Sequence, residues 1–156
     1  MSSLKYSLHD LIDLAVQFEN GVERYYRYVA DKNEKFRDIF LRLAEDEKRH
    51  AAIYQNLISH KDTENSIGRK EAAPYISVII ESEALQYLQG RKNFPEKADK
   101  PAEALKFALG VEKDTILFYY QIYEKIQEKK RNIVEKIIDE EKKHIEKIRQ
   151  TYERLS

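Results

Sequence analysis

The stretch Asp46-Glu47-Lys48-Arg49-His50 returns 94 residues later as Glu140-Glu141-Lys142-Lys143-His144. In both copies a glutamate and a histidine stand three residues apart, one turn along the same face of a helix. A second pair moves with them, because Glu19, followed by Tyr25-Tyr26, returns 93 residues later as Glu112, followed by Phe118-Tyr119. Self-similarity at a nearly constant offset indicates a duplicated unit, here a helical hairpin.

Outward from these stretches, the apolar residues recur at three- and four-residue steps, as they do on a helix with one buried face. Leu11, Ala15, Phe18, Val22, Tyr26 and Val29 form one stripe; Phe40, Leu43, Ala44, Ala51, Tyr54 and Ile58 form the next. The second half repeats the arrangement with Leu105, Ala108, Thr115, Tyr119, Ile122 and Ile126, then Val134, Ile137, Ile138, Ile145, Ile148 and Tyr152. All three prolines (Pro74, Pro95, Pro101) and two of the four glycines (Gly68, Gly90) fall between residues 68 and 101, which leaves two proline-free arms around a connection. Four helices are expected, over residues 5–30, 34–60, 102–128 and 131–155. Ser7 with Asp10, Asn33, Pro101 behind Asp99, and Asn132 with Glu135 are the expected start signals. The connection 61–101 should run the length of the bundle and carry a short helix over 75–89, where Ile76, Ile80, Ala84 and Leu88 recur every four residues. The fold class expected is an all-α four-helix bundle with a long crossover between helices 2 and 3. Residues 1–156 read as a single domain, because the length suits one domain and not two.

Each stripe is interrupted by one glutamate: Glu19, Glu47, Glu112 and Glu141. A lone Glu-x-x-His on a Lys-rich helix is weak evidence, since such pairs are commonly solvated. Four carboxylates on four buried stripes are a different matter. An unpaired ionised carboxylate in a core costs several kcal/mol or takes up a proton, and these faces carry no Lys or Arg. Two divalent cations would neutralise the four, with His50 and His144 as nitrogen ligands. The inventory matches the bundle pattern of one Glu from each of two helices and Glu-x-x-His from each of the others. Asn33 is the midpoint of Glu19 and Glu47, and Gln127 lies near that of Glu112 and Glu141, so the carboxylates of each hairpin should share a height.

Composition narrows the chemistry further. Lys plus Arg and Asp plus Glu are 28 each, so no basic field steers the chain to nucleic acid or anionic lipid. With no Cys, thiolate nucleophiles, zinc-thiolate sites, iron-sulfur clusters and rubredoxin-type iron are excluded from these residues. The longest apolar run, Ile116 to Tyr120, is far shorter than the roughly 18 residues of a membrane helix. The first residues lack the apolar stretch of a signal peptide, so a soluble, cytoplasmic protein is expected.

The stretches Phe18-Glu19-Asn20-Gly21 through Tyr26, Leu43-Ala44-Glu45-Asp46-Glu47-Lys48-Arg49-His50, Val111-Glu112-Lys113-Asp114 through Tyr119, and Glu141 to His144 resemble the ferritin-like di-iron carboxylate superfamily. Within it they are similar to the rubrerythrin-like proteins. The resemblance spans both arms. It implies a ferritin-like four-helix bundle with Glu19 and Glu112 as terminal ligands, Glu47 and Glu141 bridging two irons, and His50 and His144 binding one iron each. Thr115 stands where rubrerythrins have a further glutamate, which points to a symmetric six-ligand set. The implied function is a non-haem di-iron oxidoreductase that reduces hydrogen peroxide, or reacts with oxygen. Having no Cys, it would draw electrons from an external, rubredoxin-like donor protein. The alternatives are an iron-binding ferroxidase of the ferritin type, peroxide disproportionation like that of manganese catalase, and a bundle merely cross-linked by metal. Two iron ions are the expected cofactor, although manganese and zinc accept the same ligands. A homodimer is the expected assembly.

The remaining polar residues have plainer readings. His9 and His60 have no glutamate at the matching spacing and read as surface histidines. Tyr26, Tyr54 and Tyr119 each follow an inward glutamate by seven residues, where they either donate to ligands or simply pack. The charged run Glu124 to Arg131 reads as solvated helix surface.

Overall fold

The computed structural model describes residues 6–57, 74–90, 93–94 and 99–155. Among them are four long helices, α1 (Leu8–Lys32), α2 (Arg37–Leu57), α5 (Pro101–Lys125) and α6 (Arg131–Glu153). Two short helices, α3 (Ile76–Ile80) and α4 (Glu83–Leu88), belong to the connection. The expected ends at residues 5 and 58–60, with Ile58 and His60, lie outside the described residues, as do 61–73, 91–92 and 95–98 of the connection. No helix among the described residues is long and apolar enough to cross a membrane.

Local chemistry sets the boundaries. Ser7 Oγ accepts from the Asp10 amide at 3.1 Å, and Asp10 Oδ2 accepts from the Ser7 amide at 2.9 Å, a capping box that starts α1 as expected. Asn33 does not start α2 with its side chain. It closes α1 instead, donating from Nδ2 to the Val29 carbonyl at 3.1 Å, and a 3₁₀ turn over Glu34–Phe36 leads into α2. The same device precedes α6, where the 3₁₀ turn Glu128–Lys130 takes the place of the cap expected at Asn132, which lies inside the helix. Pro101 is the first residue of α5 as expected. The single helix expected over 75–89 is two, because Ser82 turns to extended backbone and caps α4, accepting from the Leu85 amide at 3.3 Å. The break shifts the buried face, so Leu85 is buried while Ala84 is only half-buried.

Helices α1 and α2 pack as one hairpin and α5 and α6 as the other, while α4 crosses α1 and α5. Along the stripes every described residue is buried except Ile145 and Tyr152, which are half-buried at the edge of α6. Phe18 and Phe118 meet edge to face with ring centroids 5.0 Å apart, joining the hairpins beside the four glutamates. Tyr26 donates to Glu112 and Tyr119 donates to Glu19. Since each tyrosine lies two turns beyond the other's partner, this exchange is possible only if α1 and α5 run antiparallel. Tyr25 Oη agrees, donating at 2.8 Å to the Ala104 carbonyl at the opposite end of α5. Gly21 allows the crossover to close on the bundle. A Cβ there would stand 2.3 Å from the Leu88 carbonyl oxygen, which instead accepts from Arg24 Nη2 at 2.9 Å.

Candidate metal centre

The antiparallel hairpins bring one glutamate from each long helix to a common height. Glu19, Glu47, Glu112, Glu141 and His50 have no exposed surface, and His144 is 4% exposed. The six side chains fall into two groups, Glu19-Glu47-His50-Glu141 and Glu47-Glu112-Glu141-His144, each with ligand atoms within 4.8 Å of one another. Glu47 and Glu141 belong to both groups; Glu19 and Glu112 belong to one each.

The internal repeat appears as a pseudo-twofold arrangement. His50 Nδ1 lies 2.8 Å from Glu141 Oε1 and His144 Nδ1 lies 2.9 Å from Glu47 Oε1. Glu19 and Glu112 are matched as well, with Glu19 Oε2 3.7 Å from His50 Nδ1 and Glu112 Oε1 3.6 Å from His144 Nδ1. The imidazoles are nearly parallel, with centroids 6.0 Å apart. Despite these distances, eight atoms have no aligned hydrogen-bond partner among the described residues: both Nδ1, both oxygens of Glu47 and Glu141, and Oε2 of Glu19 and Glu112. Donors and acceptors this close but unaligned are aimed at common points between them, not at each other.

Without metal the cluster must share protons. Burial alone would lower both histidines, but the closeness of Glu141 and Glu19 pushes His50 up to about 11, and Glu112 with Glu141 pushes His144 up to about 10. Burial and the neighbouring carboxylates hold Glu47 and Glu141 well above the usual carboxylate range. Burial also acts on Glu112, but contacts with Glu141, His144 and Tyr26 outweigh it and hold this carboxyl low. Metal ions would displace the protons of the ligand atoms.

Two residues that spacing had assigned no role orient the histidines. His144 Nε2 lies 3.0 Å from Asp46 Oδ2 on α2, and His50 Nε2 contacts Glu140 on α6. Asp46 and Glu140 immediately precede Glu47 and Glu141, so each helix carries the acceptor for the other helix's histidine. With Nε2–H held by a carboxylate, Nδ1 turns its lone pair to the cluster. Arg49 Nη2 spans the pair, 2.9 Å from Glu140 and 3.4 Å from Asp46. The signal in the sequence was the acidic residue repeated before each Glu-x-x-His.

The three tyrosines divide. Tyr26 and Tyr119 donate to Glu112 and Glu19 of the opposite helix. Tyr54 is fully buried with its ring against Tyr119, yet its hydroxyl has no hydrogen-bond partner among the described residues. Thr115 turns its hydroxyl to the Glu112 carbonyl at 3.0 Å. His9 stays at the surface, 3.2 Å from Asp13.

Eight convergent lone-pair atoms, four carboxylates and two oriented imidazoles fit two divalent cations of the hard to borderline kind. Fold and site together define a ferritin-like helical bundle with a carboxylate-rich dinuclear centre. The rubrerythrin family model matches residues 10–152, and the chain belongs to that family. Among solved structures it is similar to a 2.30 Å crystal structure of a Thermotoga maritima protein assigned as ferritin-like diiron-carboxylate. The two are 27% identical with a TM-score of 0.75, over 97% of this chain and 98% of that one. No curated protein matches the chain.

Proposed function

We propose that the chain is a single-domain, non-haem di-iron oxidoreductase that reduces hydrogen peroxide with electrons from an external donor protein. The observation that carries this reading is the convergence of two ligand groups sharing Glu47 and Glu141. Glu47 and Glu141 would bridge the two ions, Glu19 and Glu112 would each complete one of them, and His50 and His144 would each bind one through Nδ1. When bound, two Fe²⁺ ions supply one electron apiece, which with two protons convert one peroxide to two waters.

The surrounding side chains have separate tasks. Asp46 and Glu140 keep each histidine in the tautomer that offers Nδ1. Tyr26 and Tyr119 fix the terminal carboxylates. Burial of all six side chains keeps bulk water out of the reaction space. Since these residues include no Cys, a separate carrier must return two electrons after each turnover, and we assign a rubredoxin-like donor to that role.

The test is a stopped-flow experiment on anaerobically Fe²⁺-loaded protein with excess peroxide and no donor. One peroxide should be consumed per centre, with turnover resuming once a rubredoxin and its reductase are added. Continuous peroxide loss without a donor would overturn the reading in favour of disproportionation.

A further inference from the structure

The pseudo-twofold pairs almost every residue at the centre with a counterpart: Glu19 with Glu112, Glu47 with Glu141, His50 with His144, Tyr26 with Tyr119, Asp46 with Glu140. Tyr54 breaks the pattern. It follows Glu47 by seven residues, and the residue seven beyond Glu141 is Ile148, equally buried and without a hydroxyl.

Tyr54 stands four residues beyond His50 on α2, one turn along the same buried face. Burial, together with Glu19, Glu141 and Glu47, the three carboxylates of the His50 group, holds its phenol well above the ordinary value. Its ring lies 5.1 Å from that of Tyr119, whose hydroxyl is committed to Glu19 of the same group. Among the described residues two tyrosines therefore stand at the His50 half, one of them without a hydrogen-bond partner, while Tyr26 alone reaches the His144 half. A buried hydroxyl left without a partner costs about 1–3 kcal/mol, so a site that keeps one has a partner for it in some state.

We infer that the Tyr54 hydroxyl donates a hydrogen bond to a small exogenous ligand bound at the His50 half of the centre, making the two halves chemically unequal. This rests on the metal centre proposed above. Because Tyr54 and the His50 group are fully buried, the ligand must be small, with a lone pair to accept the bond and another to meet the metal. Peroxide and small linear anions have that form. Tyr54 is then a positioning and specificity residue that selects which end of a symmetric cluster meets the substrate.

Azide is the probe. Oxidised, iron-loaded wild type and Tyr54→Phe are titrated with azide by following its charge-transfer absorption, with iron content measured on the same samples. The expected result is two irons per chain in both proteins and azide binding about tenfold weaker in Tyr54→Phe, the effect of one hydrogen bond to a charged acceptor. The metal-free variant should melt at or above the wild-type temperature, since a polar atom without a protein partner has been removed. Equal azide affinity at two irons per chain overturns this inference alone. Loss of iron from Tyr54→Phe, or a lower melting temperature without metal, also overturns it, by showing that the hydroxyl serves the protein. A wild type that cannot hold two irons overturns the metal reading and this inference with it.

Discussion

Replacing Asp46 with Asn should weaken one of the two metal ions and spare the other. The asparagine keeps the size of the side chain but removes the charge that faces His144 Nε2 at 3.0 Å. A buried hydrogen bond to a charged group is worth about 1.5–3 kcal/mol. The Asp46 side chain is 43% exposed, so solvent screening takes the effect to the lower end of that range. About 1.4 kcal/mol corresponds to tenfold, the low end of the roughly 10–100-fold cost known for losing the partner of a ligating histidine. Anaerobic titration against a competing chelator should resolve two binding steps, one weakened about tenfold and the other within about twofold of wild type. Glu140→Gln should weaken the other step, because Glu140 contacts His50, and the double variant should weaken both. Equal losses at both steps in either single variant would refute the cross-helix assignment.

The remaining predictions use other parts of the structure. Both histidines are held above their ordinary value of 6.5, so in the metal-free chain their contribution to stability is complete below that pH and is lost as pH rises towards 10–11. Glu47 and Glu141, also raised, act in the same direction, while Glu112, held low, loses its contribution only as pH falls through the carboxylate range. The metal-free protein should therefore melt lower at about pH 9 than at about pH 6, whereas the iron-loaded protein should not; a metal-free melting temperature that climbs over this interval would contradict the proton sharing. Tyr26→Phe should weaken the ion beside His144 and Tyr119→Phe the ion beside His50, through Glu112 and Glu19 respectively; both variants affecting the same ion in the chelator titration would be the wrong outcome. Gly21→Ala gains about 1 kcal/mol of helix propensity but places a Cβ 2.3 Å from the Leu88 carbonyl. Displacing α4 should leave a net loss of about 1–3 kcal/mol in denaturant unfolding, and a stabilised variant would show that the crossover yields freely.

The four long helices and their buried faces were legible because a period of 3.6 residues is written into each stripe, and the repeat located four glutamates and two histidines that the structure brings together. What the spacing could not show was geometry between helices. Tyr26 lies two turns from Glu19 on its own helix, which reads as service to that residue, but the antiparallel packing of α1 and α5 delivers its hydroxyl to Glu112. Asp46 and Glu140 looked like ordinary charged residues of Lys-rich helices, because their partners sit on another chain segment, 98 and 90 residues away. The helix boundaries drifted for a local reason. Both hairpins turn through 3₁₀ segments, whose caps are backbone atoms that leave no side-chain signature. At Ser82 a cap between Ile80 and Ala84 of the apolar stripe divided what periodicity had joined.

The central claim is that one cluster holds two metal ions, bridged by Glu47 and Glu141. Anomalous diffraction from a crystal of the iron-loaded protein, collected at the iron edge, tests it most directly. Two peaks per chain are predicted, one beside Nδ1 of each histidine, with Glu47 and Glu141 against both and Glu19 and Glu112 against one apiece. A single peak at full occupancy, or two peaks that share no carboxylate, would contradict it.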